Sequence, residues 1–364
     1  MINELQIAGY RSIRKLRLRL KRINVLTGPN GCGKSNLYQS IFLLAKAASN
    51  ELARTLALEG GMPSVMWAGA RKRESEQLRL GVALDDFTYA LTLGLPTQND
   101  LSAFLMDPCV KEESLWFTPS RQKKSWLLER DTGTTWVRDR DGARQAYPMR
   151  LSKSESAIAQ VREPHLYPEL SHIREIMTGW RFYHQFRTDH HAPIRQPQIG
   201  SHTPVLSHDG QDLAAALHTI EIEGDTEALA QAIDQAFPGA TLDLEADVDR
   251  ARFGVALRMP GVNRSLEAHE LSDGTLRYLC LLAALMSPRP APLVALNEPE
   301  TSLHPDLLPP LARMIAHAGK KSQLWITTHS PALAETIQEY SGEAPIELEQ
   351  VQGETRVVGQ GLLD

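Results

Sequence analysis

Residues 27–36 have the types and spacing of a phosphate-binding loop. Gly28 and Gly33 enclose it, and Lys34 and Ser35 complete the pattern G-x-x-x-x-G-K-[ST]. Glycines allow the backbone to curl so that its N–H groups point at phosphate oxygens. Lys34 would reach the β- and γ-phosphates of a nucleotide, and the Ser35 hydroxyl would hold Mg²⁺. The predicted nucleotide contacts are Asn30, Gly31, Gly33, Lys34, Ser35 and Asn36.

Three later segments place further polar residues at the ends of apolar elements. A serine and a glycine in residues 272–274 open an apolar helix, where a hydroxyl and exposed N–H groups can bind an anion. One apolar strand ends in Asn297 and Glu298, and another delivers His329 at its tip. Open α/β sheets place their chemistry at such strand ends. Taken singly, the three segments are also explained as a helix cap, a core strand and a core histidine.

The elements around the glycine-rich loop decide between a phosphate site and an ordinary tight turn. Residues 23–26 are an apolar run that predicts a strand. Leu37, Ile41, Leu44 and Ala48 share one face at helical spacing, which predicts a helix directly after the loop. A helix that begins there adds the positive end of its dipole to the loop. This context favours the phosphate site.

Residues 1–22 predict two strands joined by a turn, with one basic face. Every second residue of 16–20 is leucine, and Arg17, Arg19 and Lys21 occupy the alternate positions. The basic face is either a solvated sheet edge or a phosphate-facing patch for DNA or RNA. The sequence leaves both interpretations open.

The middle of the chain predicts a β-rich stretch followed by helices. Residues 78–84 and 87–93 flank Asp85 and Asp86, as in a hairpin. Further segments are predicted as a strand pair over 126–137, helical structure over 152–178, and helices over 213–220 and 226–237. The tail predicts one more strand pair, over 346–351 and 355–358.

Two polar clusters have residue types that could be catalytic. Four carboxylates alternate with apolar residues over 242–249, and Arg252 and Arg258 follow on the next strand. Period two puts the carboxylates on one exposed face, which favours a salt-bridged hairpin. A loop over 187–210 is rich in His, and its spacing matches no metal-site template. A solvated loop is favoured, with contact to the nucleotide or a partner as the alternative, since loops this long are uncommon unless functional.

Composition limits the class of protein. The 364 residues are 42% hydrophobic and 23% charged, which is ordinary for a globular protein. A net charge of −5 argues against a whole-surface nucleic-acid binder but allows a local basic patch. The three cysteines form no C-x-x-C pair, which argues against a disulfide framework or structural zinc. The sequence has no signal-peptide pattern and no apolar run of membrane-spanning length, so we expect a cytoplasmic protein without a membrane partner.

The segments 272–274, 297–298 and 329, in this order after a phosphate-binding loop, form a specific set. On these residues the chain resembles the nucleotide-binding heads of the ABC ATPase superfamily, particularly the RecF, SMC and OLD-like branch. It is most similar to the short stand-alone ATPases related to RecF, which are predicted AAA-family proteins. The resemblance is strong over 1–50 and 266–335 and loose between them.

The resemblance implies an α/β fold, a P-loop NTPase with the ABC-type bilobal ATPase head. Such a head has a mixed sheet with helices on both faces plus an antiparallel β subdomain. We therefore predict one bilobal unit over 1–364. Its N-terminal lobe, 1–180, would carry the phosphate-binding loop and the β subdomain, and its C-terminal lobe, 181–364, the other motifs.

The resemblance also implies roles for the matching residues. Residues 28–35 would be the Walker A loop, in which Lys34 also serves catalysis. Ser272, Asp273 and Gly274 would be the signature motif, which in such heads binds the γ-phosphate of ATP held by a second subunit. A signature motif in this family cannot reach the Walker A loop of its own subunit. A homodimer in the ATP-bound state is therefore implied, with ATP and Mg²⁺ as ligands.

The remaining motif residues would carry out hydrolysis. Asn297 stands at the Walker B acid position and would hold Mg²⁺ through water, together with Ser35. Glu298 would be the general base that activates water, and His329 the switch histidine that contacts the γ-phosphate. The family's Walker B motif usually ends in Asp-Glu, and the amide of Asn297 supplies no negative charge. We therefore expect slower hydrolysis or weaker Mg²⁺ affinity. The family's Q-loop glutamine has three candidates: Gln77, Gln185 and Gln196.

The resemblance implies an ATPase whose dimerisation cycle drives a switch in DNA repair and maintenance or in antiviral (phage) defence. Double-stranded DNA and a separate effector protein are the partners to expect. The alternative is a slow-turnover ATP-sensing scaffold that regulates a separate nuclease or effector, which Asn297 favours. OLD-like relatives carry a nuclease after the ATPase, and residues 334–364 are too short for one. The 238 residues from Lys34 to Ser272 contain no long coiled coil (272 − 34 = 238), which argues against an SMC role.

Overall fold

The computed structural model of the chain has two compact units. It describes residues 1–69, 77–96, 103–120, 122, 125–247 and 249–359. The first unit consists of residues 1–21, 28–180 and the described residues from 346 onwards, and the second consists of residues 22–27 and 181–345.

The strands follow one another along the chain as β1 (Ile2–Tyr10), β2 (Ile13–Arg19), β3 (Ile23–Thr27), β4 (Leu78–Leu84), β5 (Phe87–Gly94), β6 (Cys109–Phe117), β7 (Trp126–Arg130), β8 (Thr135–Arg138), β9 (Arg144–Ala146), β10 (Arg181–Tyr183), β11 (Gln198–Ile199), β12 (Thr241–Asp247), β13 (Arg252–Arg258), β14 (Leu266–Glu267), β15 (Leu293–Asn297), β16 (Gln323–Thr327), β17 (Ile346–Val351) and β18 (Glu354–Val357). The α-helices are α1 (Lys34–Ala48), α2 (Leu52–Leu58), α3 (Met62–Val65), α4 (Ala157–Gln160), α5 (Pro168–Thr178), α6 (Leu213–Glu223), α7 (Thr226–Ala236), α8 (Asp273–Leu285), α9 (Leu308–Ala318) and α10 (Pro331–Ser341).

The first unit is built on an antiparallel sheet. Among the described residues, its strands lie in the order β2-β1-β4-β5-β6-β7-β8-β9. The predicted hairpin around Asp85 and Asp86 is present, since β4 and β5 pair in antiparallel register, and β7 and β8 form the next predicted pair. The leucines of β2 are buried and its arginines exposed, as the alternation predicts.

Helix α1 of the first unit begins directly after the phosphate-binding loop. Its predicted apolar face is confirmed, because Leu37, Ile41, Leu44 and Ala48 are all buried. Helices α4 and α5 pack beside it, which fits the helical structure predicted over 152–178. The tail strands β17 and β18 form the predicted hairpin.

The second unit contains a parallel sheet with the order β10-β15-β16-β3. Helix α9 crosses over from β15 to β16 and buries Leu311 and Ile315 against them, so these elements form a βαβ unit. Helices α6, α7, α8 and α10 supply further side chains to the same core. In the part of the chain that is described, no helix is both long and apolar enough to cross a membrane.

The division into units differs from the predicted lobes in two segments. Residues 22–27 belong with the second unit, because β3 pairs with β16 of its parallel sheet. The hairpin of β17 and β18 belongs with the first unit, where the backbone N–H of Thr355 donates to the Ser12 carbonyl at 2.8 Å. A prediction from sequence order alone could assign neither, because both contacts join residues far apart in the chain.

The carboxylate-rich hairpin forms as predicted, but its ion pairing is different. Strand β12 pairs with β13 in register and ends at Asp247, and Val248 lies outside the described residues. The predicted pairs to Arg252 and Arg258 are absent among the described residues. Asp247 instead contacts Arg250 of the turn, at 3.9 Å, and the Arg252 guanidinium donates to the Pro197 carbonyl at 3.3 Å. Arg252 is drawn away because β11 pairs along its strand.

Candidate functional site

The candidate residues are divided between the two units. The phosphate-binding loop lies in the first, and residues 272–274, 297–298 and 329 lie in the second. Each group has its own supporting contacts.

The phosphate-binding loop has the backbone that only glycine provides at two positions. Gly28 and Gly33 have φ values of 144° and 104°, in the region that side chains disfavour. A Cβ at Gly28 would lie 2.3 Å from the Leu348 carbonyl oxygen, and one at Gly33 would lie 2.1 Å from Oγ1 of Thr355. The loop is therefore packed on the tail hairpin on one side. Gly31 is exposed, and a Cβ there would meet no atom within 4 Å.

Lys34 is folded back into the loop. Its side chain is 4% exposed, and its ammonium donates hydrogen bonds to the carbonyls of Gly28 at 2.6 Å and Pro29 at 3.1 Å. The cation thus stands at the centre of the curled backbone, where it can meet phosphate oxygens. Ser35 and Asn30 are exposed at the same loop.

Asn36 differs from the other predicted nucleotide contacts. Its Nδ2 donates to the Ser12 hydroxyl at 2.7 Å, and its Oδ1 accepts from Arg11 at 3.5 Å. Ser12 in turn shares a 2.7 Å hydrogen bond with the hydroxyl of Thr355, which is the residue packed against Gly33. Asn36 is therefore tied into a polar network that fixes the start of α1. Ser12 and Thr355 were missed in the sequence, since neither lies in a motif.

In the second unit, Asn297 and Glu298 lie at the carboxyl end of β15. The Asn297 side chain is buried, and its Oδ1 accepts a hydrogen bond of 2.7 Å from the Thr327 hydroxyl on the neighbouring strand. Glu298 has a φ of 47°, a strained value for a residue with a side chain. The strained backbone is held by its N–H, which donates to the Thr327 carbonyl at 2.8 Å, and by Arg277, which donates to its carbonyl at 3.2 Å.

Glu298 and His329 face each other. The Glu298 carboxylate lies 3.1 Å from His329 Nε2, and both side chains are a little over one-third exposed. A carboxylate and an imidazole in contact and open to solvent can bind a water molecule and move a proton. The structure therefore brings together the predicted general base and the predicted switch histidine.

Glu300 positions His329, and sequence reasoning missed it. One of its carboxylate oxygens accepts from the Thr328 hydroxyl at 2.6 Å and from the His329 N–H at 2.8 Å. Its other oxygen and Nε of Arg277 are buried, and neither has a hydrogen-bond partner within the described ranges. Burial lowers the pKa of the Arg277 guanidinium, and the charges of Glu300 and Glu298 act in the opposite direction. Glu300 follows Glu298 by two residues, but no motif assigned it a role.

The signature segment opens α8 as predicted. Ser272 caps the helix, because its Oγ accepts from the Thr275 N–H at 3.1 Å, and it is exposed. Gly274 has no space for a side chain, since a Cβ would lie 2.6 Å from the Ser302 carbonyl oxygen. Residues 272–275 and 302–307 line an open groove of about 740 Å³, together with Ala236 and Phe237.

Arg195 holds the signature segment from the long loop over 187–210. It is 8% exposed, and its guanidinium donates to the Leu271 carbonyl at 2.7 Å and to the Ala268 carbonyl at 3.3 Å, and forms an ion pair with Asp273. It also donates to the Thr188 carbonyl at 3.0 Å, so it ties the loop to the segment. Sequence reasoning missed Arg195 because the histidines dominated the loop.

The histidines of this loop have separate partners. His202 contacts Glu223 at 2.8 Å, His208 contacts the Phe182 carbonyl at 2.9 Å, and the rings of His190 and His191 contact each other. Within the described ranges, no group of three or more His, Cys, Asp or Glu side chains could hold a metal ion. The structure does not distinguish among the Q-loop candidates: Oε1 of Gln77 accepts from Arg79, and Gln185 is exposed.

A comparison with known protein families shows where the sequence belongs. Residues 23–335 match the sequence profile described as "AAA domain, putative AbiEii toxin, Type IV TA system". The chain belongs to this family. It is thus an AAA-type ATPase domain by family, in agreement with the predicted resemblance. A comparison with curated protein sequences found no significant match.

Solved structures show the fold. The SmcHead bound to the C-winged helix domain of ScpA matches with a TM-score of 0.55 at 15% identity, covering 98% of this chain and 97% of that one. The Smc head domain with an extended coiled coil, bound to the C-terminal domain of ScpA derived from Pyrococcus furiosus, gives 0.52 at 14% identity, with 98% and 95% covered. The predicted fold class is therefore confirmed: α/β, a P-loop NTPase of the ABC type with an SMC-head-like fold.

Proposed function

We propose that this ATPase domain hydrolyses ATP, with Glu298 as the general base. One observation carries the proposal: the Glu298 carboxylate lies 3.1 Å from His329 Nε2, at the carboxyl end of parallel strands and on a backbone held at a φ of 47°. Strain of this kind persists only where surrounding contacts hold it, and it is concentrated at functional sites. Walker A residues 28–35, with the buried Lys34 ammonium, support nucleotide binding.

The reaction is phosphoryl transfer to water. The water oxygen forms a bond to the γ-phosphorus while the bond to the β–γ bridging oxygen breaks, and ADP leaves with that electron pair. Glu298 accepts the proton that the attacking water loses. Within the second unit, His329 would donate a hydrogen bond to a γ-phosphate oxygen and stabilise the charge that develops there. The Lys34 ammonium of the first unit would contact the phosphates of the nucleotide that its own loop binds. Glu300 acts indirectly, by holding the His329 backbone.

Each unit offers one oxygen donor of the kind that Mg²⁺ prefers. Ser35 offers an exposed hydroxyl, and the Asn297 amide oxygen keeps one lone pair beyond the one that Thr327 occupies. Oxygen donors are those that Mg²⁺ prefers, and it commonly retains several waters. Bound Mg²⁺ would neutralise phosphate charge. Asn297 would contact one of its waters without adding the negative charge of a carboxylate.

ATP would be enclosed by two copies of the chain. Ser272 and Asp273 are exposed at the N-terminus of α8, Gly274 beside them is half-buried, and Arg195 fixes this segment from within its own unit. An exposed, rigid anion site suits the γ-phosphate of a nucleotide held by a second copy. ATP-dependent homodimerisation follows from this proposal.

Phosphate release from the wild type and from Glu298→Gln tests the proposed hydrolysis. We expect the wild type to turn over and the variant to lose turnover by two orders of magnitude or more, on the order of a lost general base. The variant should keep ATP affinity and form a longer-lived dimer with ATP. Glu335→Gln, an exposed glutamate on α10 of the same unit, is the matched control and should behave as the wild type. Equal turnover in all three would contradict the proposal.

Asn297 favours one alternative, a slow-turnover ATP-sensing scaffold that regulates a separate nuclease or effector protein. The Asn297 amide adds no negative charge that would help to bind Mg²⁺, so this alternative chain would bind ATP but hydrolyse it slowly. A wild type that dimerises with ATP yet releases no phosphate would support this alternative. The Smc heads with the same fold are bound to parts of ScpA, which makes a protein effector a reasonable partner to test.

We propose a cytoplasmic role in DNA maintenance or antiviral defence. The family description, with its putative AbiEii toxin, is compatible with defence. The basic alternation at Arg17, Arg19 and Lys21 supports a nucleic-acid partner, since all three side chains are exposed. We expect double-stranded DNA to stimulate turnover or to bind in a salt-sensitive way. No effect at micromolar DNA would contradict a duplex partner.

A further inference from the structure

The sheet of the first unit carries a groove that ATP hydrolysis does not use. The groove has a volume of about 740 Å³ and runs over β2, β1, β4, β5, β6 and β7. Part of its floor is made of small residues: Gly81, Ala83 and Ala90 lie on neighbouring strands, with Gly81 directly opposite Ala90 and the Gln6 side chain beside Gly81. Small side chains at adjacent register positions leave room for a flat ligand above the sheet.

One wall of the groove is aromatic. Trp116 of β6 and Trp126 of β7 are cross-strand neighbours, and their rings stack with centroids 5.4 Å apart and planes 19° apart. Both side chains are partly exposed and line the groove. A partly exposed tryptophan held by a second one offers a rigid aromatic face, on which an unpaired base of any sequence can stack.

The opposite wall is cationic. Arg17 and Arg19 project from β2, an edge strand of the sheet, with Arg17 opposite Gln6 and Arg19 opposite Glu4. Glu4 is balanced by Arg17, whose guanidinium contacts it at 2.6 Å. Arg19 is exposed and forms no ion pair with any residue that the structure describes. The wall therefore keeps a net positive charge facing the groove.

The two walls fit a nucleic-acid strand. Four strand spacings separate β2 from β6, a distance of about 19 Å, so a strand of several nucleotides can lie across the floor. Its phosphates would meet the arginines while its bases reach the tryptophans. In a duplex the bases are already stacked and paired, and they cannot lie on Trp116 without being unpaired. A solvated sheet edge explains the arginines alone, but not the tryptophans across a floor of small residues.

We propose that this groove binds single-stranded nucleic acid, with unpaired bases stacked on Trp116 and the sugar-phosphate backbone held by Arg19 and Arg17. The inference takes from the proposed function only nucleic acid as the partner class. The groove lies within the first unit and needs neither Glu298 nor dimerisation.

Fluorescence anisotropy with labelled twelve-nucleotide probes, oligo-dT, oligo-U and a blunt duplex, tests the groove. We expect the wild type to bind a single strand more tightly than the duplex, and the stronger of the two single strands identifies DNA or RNA as the source. Trp116→Ala should weaken this binding about tenfold, whereas Trp116→Phe should retain most of it, since stacking survives. Arg19→Ala should lower both the affinity and the salt dependence.

The chain offers matched controls. Trp136 lies on β8 of the same sheet, is partly exposed and does not line the groove, so Trp136→Ala should bind as the wild type does. Arg54 is exposed on α2 and is the matched control for Arg19, so Arg54→Ala should also bind as the wild type does. ATP binding by each variant verifies its fold, because the phosphate-binding loop belongs to the same unit.

The outcomes separate the two proposals. Equal effects of Trp116→Ala and Trp136→Ala, or no binding of either single strand, would overturn the groove. Tighter binding of the duplex would also overturn it, while leaving double-stranded DNA as a partner of the ATPase. Loss of hydrolysis in Glu298→Gln says nothing about the groove, and single-strand binding says nothing about hydrolysis.

Discussion

Asn297 lies at the end of β15 with its side chain buried and its amide oxygen bound to the Thr327 hydroxyl. Replacement by Asp keeps this hydrogen bond and adds a charged oxygen of the same size. A carboxylate binds Mg²⁺ and its waters more strongly than a neutral amide. The position therefore limits how well the proposed site can use the metal.

We expect Asn297→Asp to lower the Mg²⁺ concentration needed for half-maximal phosphate release about tenfold and to raise turnover, on the order of one charge–charge contact in a partly shielded site. Phosphate release over a MgCl₂ series measures both. Asn24→Asp makes the same change on β3 of the same sheet, where the Asn24 amide donates to the Leu324 carbonyl, and should only destabilise the unit. An unchanged Mg²⁺ dependence in Asn297→Asp would remove Asn297 from the metal site.

Among single residues, those of the motifs could be predicted from the sequence, whereas the residues that hold them in place could not. Glu298 and His329 are adjacent to apolar strands, so their place at strand ends follows from local pattern. Arg277 and Glu300 act through contacts with these residues across the fold, and an arginine on a helix or a glutamate near a turn has no local signature. Asn36 matched its motif, yet its amide is bound to Ser12, 24 residues earlier in the chain.

The signature segment shows how one element is held by another. Arg195 donates to the carbonyls of Leu271 and Ala268 and pairs with Asp273 while it also binds the loop at Thr188. Lysine cannot reproduce this fork, because its ammonium lacks the planar set of donors. The loop over 187–210 thereby positions the first turn of α8.

We expect Arg195→Lys and Arg195→Ala to reduce steady-state turnover tenfold or more while nucleotide affinity of the isolated monomer stays within about twofold, because in the proposed dimer the signature segment acts on a second copy. The alanine variant should also lose about 2–3 kcal/mol of unfolding free energy through the unsatisfied carbonyls. Phosphate release, fluorescent-ATP titration and urea unfolding measure the three quantities. Arg187→Ala is the control, because Arg187 is exposed on the same loop and pairs only with Asp189 among the described residues. Parallel losses of turnover and nucleotide affinity would show a merely structural role.

A buried carboxylate joins β6 to α4 in the first unit. Glu113 accepts from the N–H groups of Ala157 at 2.7 Å and Ile158 at 3.2 Å and from the Tyr89 hydroxyl at 3.0 Å, with Arg130 at 3.6 Å. Burial raises the pKa of Glu113 above its ordinary value of 4.5, and Arg130 and the two N–H groups oppose the rise. The folded state thus binds this proton more tightly than the unfolded state.

The raised pKa of Glu113 determines how the free energy of unfolding changes with pH. The contribution of a group with a raised pKa is fully present below pH 4.5 and is lost as the pH rises through its folded-state value. We therefore expect the stability of the wild type relative to Glu113→Gln to fall as the pH rises from 4.5, then to level off. Urea unfolding at half-unit pH steps measures it, with the exposed neighbour Glu112→Gln as control. A difference that grows with pH would reverse the assignment.

Element types were the most predictable level of the fold. The alternation in β2, the helical face of α1 and the turns at Asp85 and Asp131 are local patterns, and the structure confirms them. Ion pairing in the carboxylate hairpin was predicted wrongly, because β11 comes from about 50 residues earlier and draws Arg252 to Pro197. Alternation gives the face of a side chain but not its partner.

At the scale of the whole molecule, sequence order is a poor guide to which residues group together. Strand β3 joins the parallel sheet formed by residues beyond 181, while the chain on either side of β3 belongs to the other unit. The tail hairpin likewise contacts Gly28 and Gly33, more than 300 residues earlier. Such contacts are set by strand pairing and close packing between distant segments, which one sequence does not reveal.

The proposed dimer predicts that two variants, each inactive alone, restore phosphate release when they are mixed. Lys34→Ala should abolish nucleotide binding in its own copy but leave an intact signature segment. Ser272→Arg should leave the phosphate-binding loop intact but fill the exposed helix N-terminus with a bulky cation and remove its cap. Each variant alone should be inactive.

If ATP is enclosed by two copies, a mixed pair has one complete site, formed by the loop of the Ser272→Arg copy and the signature of the Lys34→Ala copy. Random mixing in equal amounts should then restore about a quarter of wild-type phosphate release, because half of the dimers are mixed and each has one of two sites. Light scattering with ATP would verify that the dimers form. No recovery from a mixture that dimerises would place the signature segment outside the site, whereas activity of Ser272→Arg alone would show that each copy hydrolyses ATP unaided.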